Sequence, residues 1–86
     1  MANIDEIRAG IARANQQATE SLGALRHARQ AIEEAAANFA QNIYGTAQND
    51  ADDARSRFAA AAEKVDEVEQ ALHVAMQSAD DVAGRL

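Results

Sequence analysis

The chain has no cysteine, no proline and no tryptophan, and its 86 residues include one tyrosine and two phenylalanines. Without cysteine there are no disulfides and no thiolate metal ligands, so redox compartment leaves no mark on the sequence. Without proline, the strongest helix breaker is missing. No run approaches the roughly 20 apolar residues that a transmembrane helix needs. The opening MANIDEIRAG begins with acids and carries no apolar segment, so a Sec signal peptide is not expected. Positive charge is also scarce. Eight Lys and Arg face fourteen Asp and Glu, a net charge of −6 that disfavours nucleic acid and anionic membrane surfaces as partners.

What is present is alanine. It supplies 23 of the 41 apolar residues, against five Ile, four Leu, four Val and two Phe. Alanine has the highest helix propensity, and its small side chain lets helices approach closely. A chain of this length makes one small domain, residues 1–86, with a thin core.

The apolar residues repeat every seven positions. In the first half Ile4, Ile11, Ala18, Leu25, Ile32 and Phe39 form one series, taken as heptad position a. Three residues on, at d, stand Ile7, Ala14, Ser21, Ala28, Ala35 and Asn42. The second half repeats the pattern with Ala51, Phe58, Val65, Leu72, Ala79 and Leu86 at a, and Ala54, Ala61, Val68, Ala75 and Val82 at d. Two such seams predict two long helices in coiled-coil register. Nothing alternates with the period of a strand.

The helix ends have matching punctuation. Asn3 with Glu6 has a capping-box pattern. Gly45 suits a left-handed C-cap, and Thr46 or Asn49 can cap the second helix, with Asp50, Asp52 and Asp53 near its positive N-terminus. Helices are expected near 4–43 and 48–83. So short a connection makes them antiparallel neighbours. Folding there sets Phe39 level with Phe58, Ile32 with Val65 and Leu25 with Leu72. The expected fold is an all-α, antiparallel two-helix hairpin whose core is Leu25, Ile32, Phe39, Phe58, Val65, Val68 and Leu72, with Ile43, Tyr44, Gly45 and Thr46 at the turn.

Leu22, Ile43, Val74 and Met76 fall off the a/d seam. Either they widen it, or they face a second hairpin. A lone hairpin covers little apolar surface, and two hairpins packed as a four-helix bundle bury far more per residue. That arithmetic makes Leu22, Val74 and Met76 the candidate dimer or partner face.

No arrangement in the chain carries recognisable chemistry. His27 and His73 are its only imidazoles, with too few neighbouring ligands for a tetrahedral metal. The run NDADD lacks the glycine and distant glutamate of a calcium loop, and EKVDEVE has the composition of a solvated helix face, with Glu69 and His73 spaced to pair on the surface. No nucleophile–base pair or phosphate-binding glycine loop is present, and two helices enclose no ligand-sized pocket. Neither an enzyme nor a cofactor is expected. Gly10 and Gly23, inside the first helix, either permit close helix approach or are simply tolerated.

An acidic chain of this length, with two long antiparallel helices and an aromatic–glycine turn at its middle, resembles the Trp-x-Gly hairpin proteins exported by type VII secretion systems of actinobacteria and Gram-positive bacteria. Its alanine-rich, lysine-poor composition is similar to that of high-GC actinobacterial proteins. Gly45 matches the turn glycine of that family, which places Ile43 where the tryptophan stands and Tyr44 one position late. The family's C-terminal tyrosine, followed four residues later by Asp or Glu, has no counterpart in MQSADDVAGRL. The resemblance implies a cytoplasmic protein when made, exported by a non-Sec route. It also implies pairing with itself or a paralogous hairpin, and contact with a larger secreted protein or a type VII ATPase. The competing expectation is an intracellular coiled-coil adaptor or chaperone that holds a larger protein by its acidic second helix.

Overall fold

The computed structural model describes residues 3–43 and 48–86. Helix α1 spans Ile4–Gln41 and helix α2 spans Gln48–Gly84, within two residues of the expected bounds. At the start of α1 the Asn3 backbone is extended, and its side-chain oxygen accepts a hydrogen bond from the Glu6 N–H at 2.8 Å. This satisfies one of the amide groups that a helix start leaves without a partner. The helix stops at Asn42, where φ −120° and ψ 13° leave the helical region and the N–H turns to the Phe39 carbonyl. Tyr44, Gly45 and Thr46 lie outside the described residues, and Asn49, the other candidate cap, is already inside α2.

At the far end Gly84 remains helical with its φ outside the left-handed region, so α2 does not close on a left-handed glycine cap. Instead the Arg85 N–H is shared between the carbonyls of Asp81 and Val82, at 3.2 and 3.1 Å, and the Leu86 N–H reaches Ala83. Tightening of the last turn satisfies carbonyls that a glycine cap otherwise would.

The helices lie side by side in a rod of 66 × 17 × 16 Å with a radius of gyration of 19.6 Å. A compact domain of this length has a radius near about 12 Å by the usual size scaling. Three contacts place the antiparallel register. The Phe39 and Phe58 rings sit 5.8 Å apart, tilted by 45°, beside the turn. Arg29 meets Asp66 near the middle, and Asn15 meets Asp80 towards the open end. All three are consistent with one fold point near residue 48.

The seam itself corrects the heptad assignment. Ile11, Ala18, Leu25, Ile32 and Phe39 turn inward as expected, but their companions lie four residues on, not three. Asn15, Leu22, Arg29, Ala36 and Ile43 face α2, whereas Ile7, Ala14, Ser21, Ala28, Ala35 and Asn42 are exposed. The same shift holds in α2 from Phe58 onward, whereas in its first heptad Ala54, three residues after Ala51, is half-buried as expected. Phe58, Val65, Leu72 and Ala79 turn inward together with Ala62, Glu69, Met76 and Ala83, while Ala61, Val68, Ala75 and Val82 are exposed.

Side-chain size accounts for the choice. The stripe four residues on carries Leu22, Ile43 and Met76, which fill the space between two helices; the stripe three residues on is mostly alanine. Both lie one step from the same central series, so packing decides between them. Even so the core is thin. Among the described residues only Leu22, at 5% exposure, and Ala51, at 2%, are buried.

Candidate functional site

The surfaces available to a partner are set by that seam. Each central stripe has a flank on either side, and in an antiparallel pair the corresponding flanks of the two helices fall on the same side of the rod. One side is polar. It carries Asp5, Arg26 and Glu33 from α1, with Asp52, Asp66, His73 and Asp80 from α2, all exposed. The other carries Ile7, Ala14, Ser21, Ala28 and Ala35 from α1, with Ala61, Val68, Ala75 and Val82 from α2, also exposed and without a charge.

Hydrogen bonds across the seam identify the polar side independently. The Arg29 guanidinium donates through Nε to Asp66 Oδ1 at 2.6 Å and through Nη2 to Oδ2 at 3.1 Å, and it also pairs with Glu33 on its own helix. Asn15 Nδ2 donates to Asp80 Oδ1 at 2.7 Å and lies 3.4 Å from the Met76 carbonyl. Both seam residues thus reach to the flank that holds Asp66 and Asp80.

This geometry sets the electrostatics. The hydrogen bond from Arg29, assisted by its charge, holds the Asp66 carboxyl below the ordinary carboxylate range. The same hydrogen bond raises Arg29, with the charges of Asp66 and Glu69 adding to it. Glu69, expected on the surface against His73, turns instead into the seam, and His73 is exposed without an ion pair to it. The acid run at the start of α2 is taken up locally: Asp50 lies in the first turn, Asp52 faces Arg55, and Asp53 accepts from Arg57 at 3.0 Å.

The predicted site residues are redistributed accordingly. Leu25, Ile32, Phe39, Phe58, Val65 and Leu72 lie in the hairpin seam as expected. Val68 does not; it is 51% exposed on the uncharged flank. Leu22 and Met76, expected at a partner face, belong to the seam, and Leu22 is its most buried large side chain. Val74, 54% exposed, points away from α1 on the outer surface of α2, apart from the other two. Ile43, expected at the turn, is half-buried at the end of the seam. The level of Leu22 with Met76, visible in the sequence, was the available sign that both belong to one seam.

Near the turn, Ala54, Arg57, Phe58 and Ala61 line an open apolar depression of about 400 Å³. Gly23 has nothing within 4 Å of where a Cβ would stand, and Gly10 only the end of the Arg13 side chain at 3.8 Å, so neither glycine serves a close helix approach within the hairpin. Among the described residues no helix is long and apolar enough to cross a membrane. Comparison with protein families, curated proteins and solved structures yields no match for this chain.

Proposed function

We propose that this chain is a non-enzymatic helical-hairpin module for protein–protein interaction, which pairs with a second hairpin to form a four-helix bundle. The observation that carries this reading is surface. The hairpin exposes 6332 Å², against roughly 4,900 Å² for a globular monomer of the same mass by area scaling. Ile4, Ile7, Val68, Val74, Val82 and Leu86 are among what it leaves in water. A rod with so small a core gains most by covering a second stripe.

The resemblance to type VII secretion substrates or their export partners gives this module a biological setting. The hairpin length, the acidic charge and Gly45 speak for it, while Ile43 stands at the tryptophan position.

Light scattering tests the module: the expected mass is about twice the 9.2 kDa of the chain. A monomer at tens of micromolar would overturn the pairing. Export is tested by co-expression with neighbouring genes and assay of the culture medium. Retention in cells with every neighbour present would favour an adaptor that acts inside the cell.

A further inference from the structure

We infer that the uncharged flank formed by Ala14, Ala28 and Ala35 of α1 with Ala61, Val68 and Val82 of α2 is the surface on which a second copy of this chain docks. This deepens the pairing proposed above and rests on it, but it moves the interface away from Leu22 and Met76, which the hairpin uses for itself.

The first argument is stripe width. A helix with a single neighbour needs one narrow stripe, whereas a helix in a four-helix bundle has two neighbours and an apolar stripe one step wider. Each helix here has that wider stripe. The hairpin consumes the central series and the flank holding Leu22 and Met76, leaving the alanine–valine flank exposed on both helices and on the same side.

The second argument is desolvation. No charged residue stands at the stripe positions between Ile7 and Val82, while the opposite flank carries Asp5, Glu33, Asp52, Asp66 and Asp80. The one hydroxyl on the stripe, Ser21, donates to the Gln17 carbonyl at 3.0 Å, so its proton needs no water when the face is covered. The stripe positions offer a basic or acidic partner no complementary charge, and a copy of the same stripe is their natural match.

Shape and area complete the case. The register sets Ala28 level with Val68 and Ala14 level with Val82, so each level has at most one side chain of valine size and two copies can close with valine over alanine. The depression at Ala54, Arg57, Phe58 and Ala61 lies on the same side, its one charge, Arg57, already paired with Asp53, and is open to a side chain of the second copy. A face 66 Å long and 17 Å wide offers on the order of 1,000 Å² per copy, about 2,000 Å² in all, which is the size of a stable dimer interface.

The test uses the full chain at dimer mass and its four valines as reporters. With a soluble paramagnetic probe, the methyl signals of Val68 and Val82 should be shielded like those of Val65, while Val74 broadens. In variants, Val68→Glu or Ala28→Glu should raise the concentration for half-dissociation at least tenfold, and Val74→Glu should leave it unchanged. If the wild type is a dimer but Val68 and Val82 broaden as much as Val74, the dimer uses another face and this inference is wrong, although the pairing stands. If the wild type is a monomer throughout, the pairing itself fails, and this face with it.

Discussion

Arg29 and Asp66 are joined by two parallel hydrogen bonds across the middle of the hairpin, the only such fork between the helices among the described residues. Position is what gives the pair consequence. Arg29 occupies a seam site whose equivalents one heptad away are Leu22 and Ala36, so its stem packs between the helices while its head reaches the polar flank. The two groups are 37% and 50% exposed, and salt will weaken the charge part of the interaction.

The pair makes stability depend on acid. The Asp66 carboxyl is lower in the folded chain than in the unfolded one, so its contribution is present above the unfolded value near about 3.9 and is lost as pH falls through the depressed folded value. The melting temperature should therefore fall on acidification below about pH 4.5. In Asp66→Asn that fall should be shallower, measured by circular dichroism across pH 2.5–7 (roughly the span of carboxylate titration). Equal slopes would remove Asp66 as a contributor. The raised Arg29 gives no second window, because its proton leaves only at strongly basic pH.

Among the described residues Leu22 is the largest side chain the hairpin buries. Leu22→Ala should destabilise by about 2–4 kcal/mol, as core truncations do, while Val74→Ala on the outer surface should change stability by less than about 0.5 kcal/mol. Chemical denaturation of both variants distinguishes this seam from one built on the residues three apart. Similar losses from the two changes would contradict the burial described.

Asn15 sits in the seam one heptad before Leu22, where its amide bridges to Asp80. A polar residue at such a position fixes register at a cost in stability. Asn15→Leu should raise the melting temperature, and it should broaden the amide spectrum near the open end as alternative registers become accessible. A variant that melts lower would mean that the bond to Asp80 outweighs the added apolar contact.

Gly23 lies in the middle of α1 with open space where a side chain would be. Gly23→Ala should stabilise by about 0.5–1 kcal/mol, since alanine loses less backbone freedom on entering a helix. For a chain of this size that corresponds to a rise of roughly 2–8 °C in the melting temperature. No rise would point to a partner seated against Gly23.

Much of the fold was legible from local chemistry. Alanine content and the missing proline announce helices; Asn3 and the acids behind Gly45 mark where they begin; and the level of Phe39 with Phe58 follows from a short connection at the middle. The partner surface was legible only in part. Reading the alanine–valine series as the inner stripe placed Val68 in the core and Leu22 and Met76 outside it, and the structure reverses both. That series looked like the inner one because it lacks charge, whereas the true inner stripe contains Asn15, Arg29 and Glu69. Asn15 and Arg29 are tolerated there because the seam is thin enough for their heads to reach Asp80 and Asp66 on its polar edge.

By itself, then, the sequence determined two helices, their lengths, the antiparallel fold and the central apolar series, because propensity, capping and a seven-residue period act along one chain. Only the tertiary structure decided which neighbouring stripe turns inward. Positions three and four residues from the central series lie at similar angles on either side of it, and the period cannot separate them. The choice is made when two helices meet and the larger side chains, Leu22 and Met76, fill the space between them. The smaller ones, Ala28 and Val68, then remain outside on the rod's uncharged side.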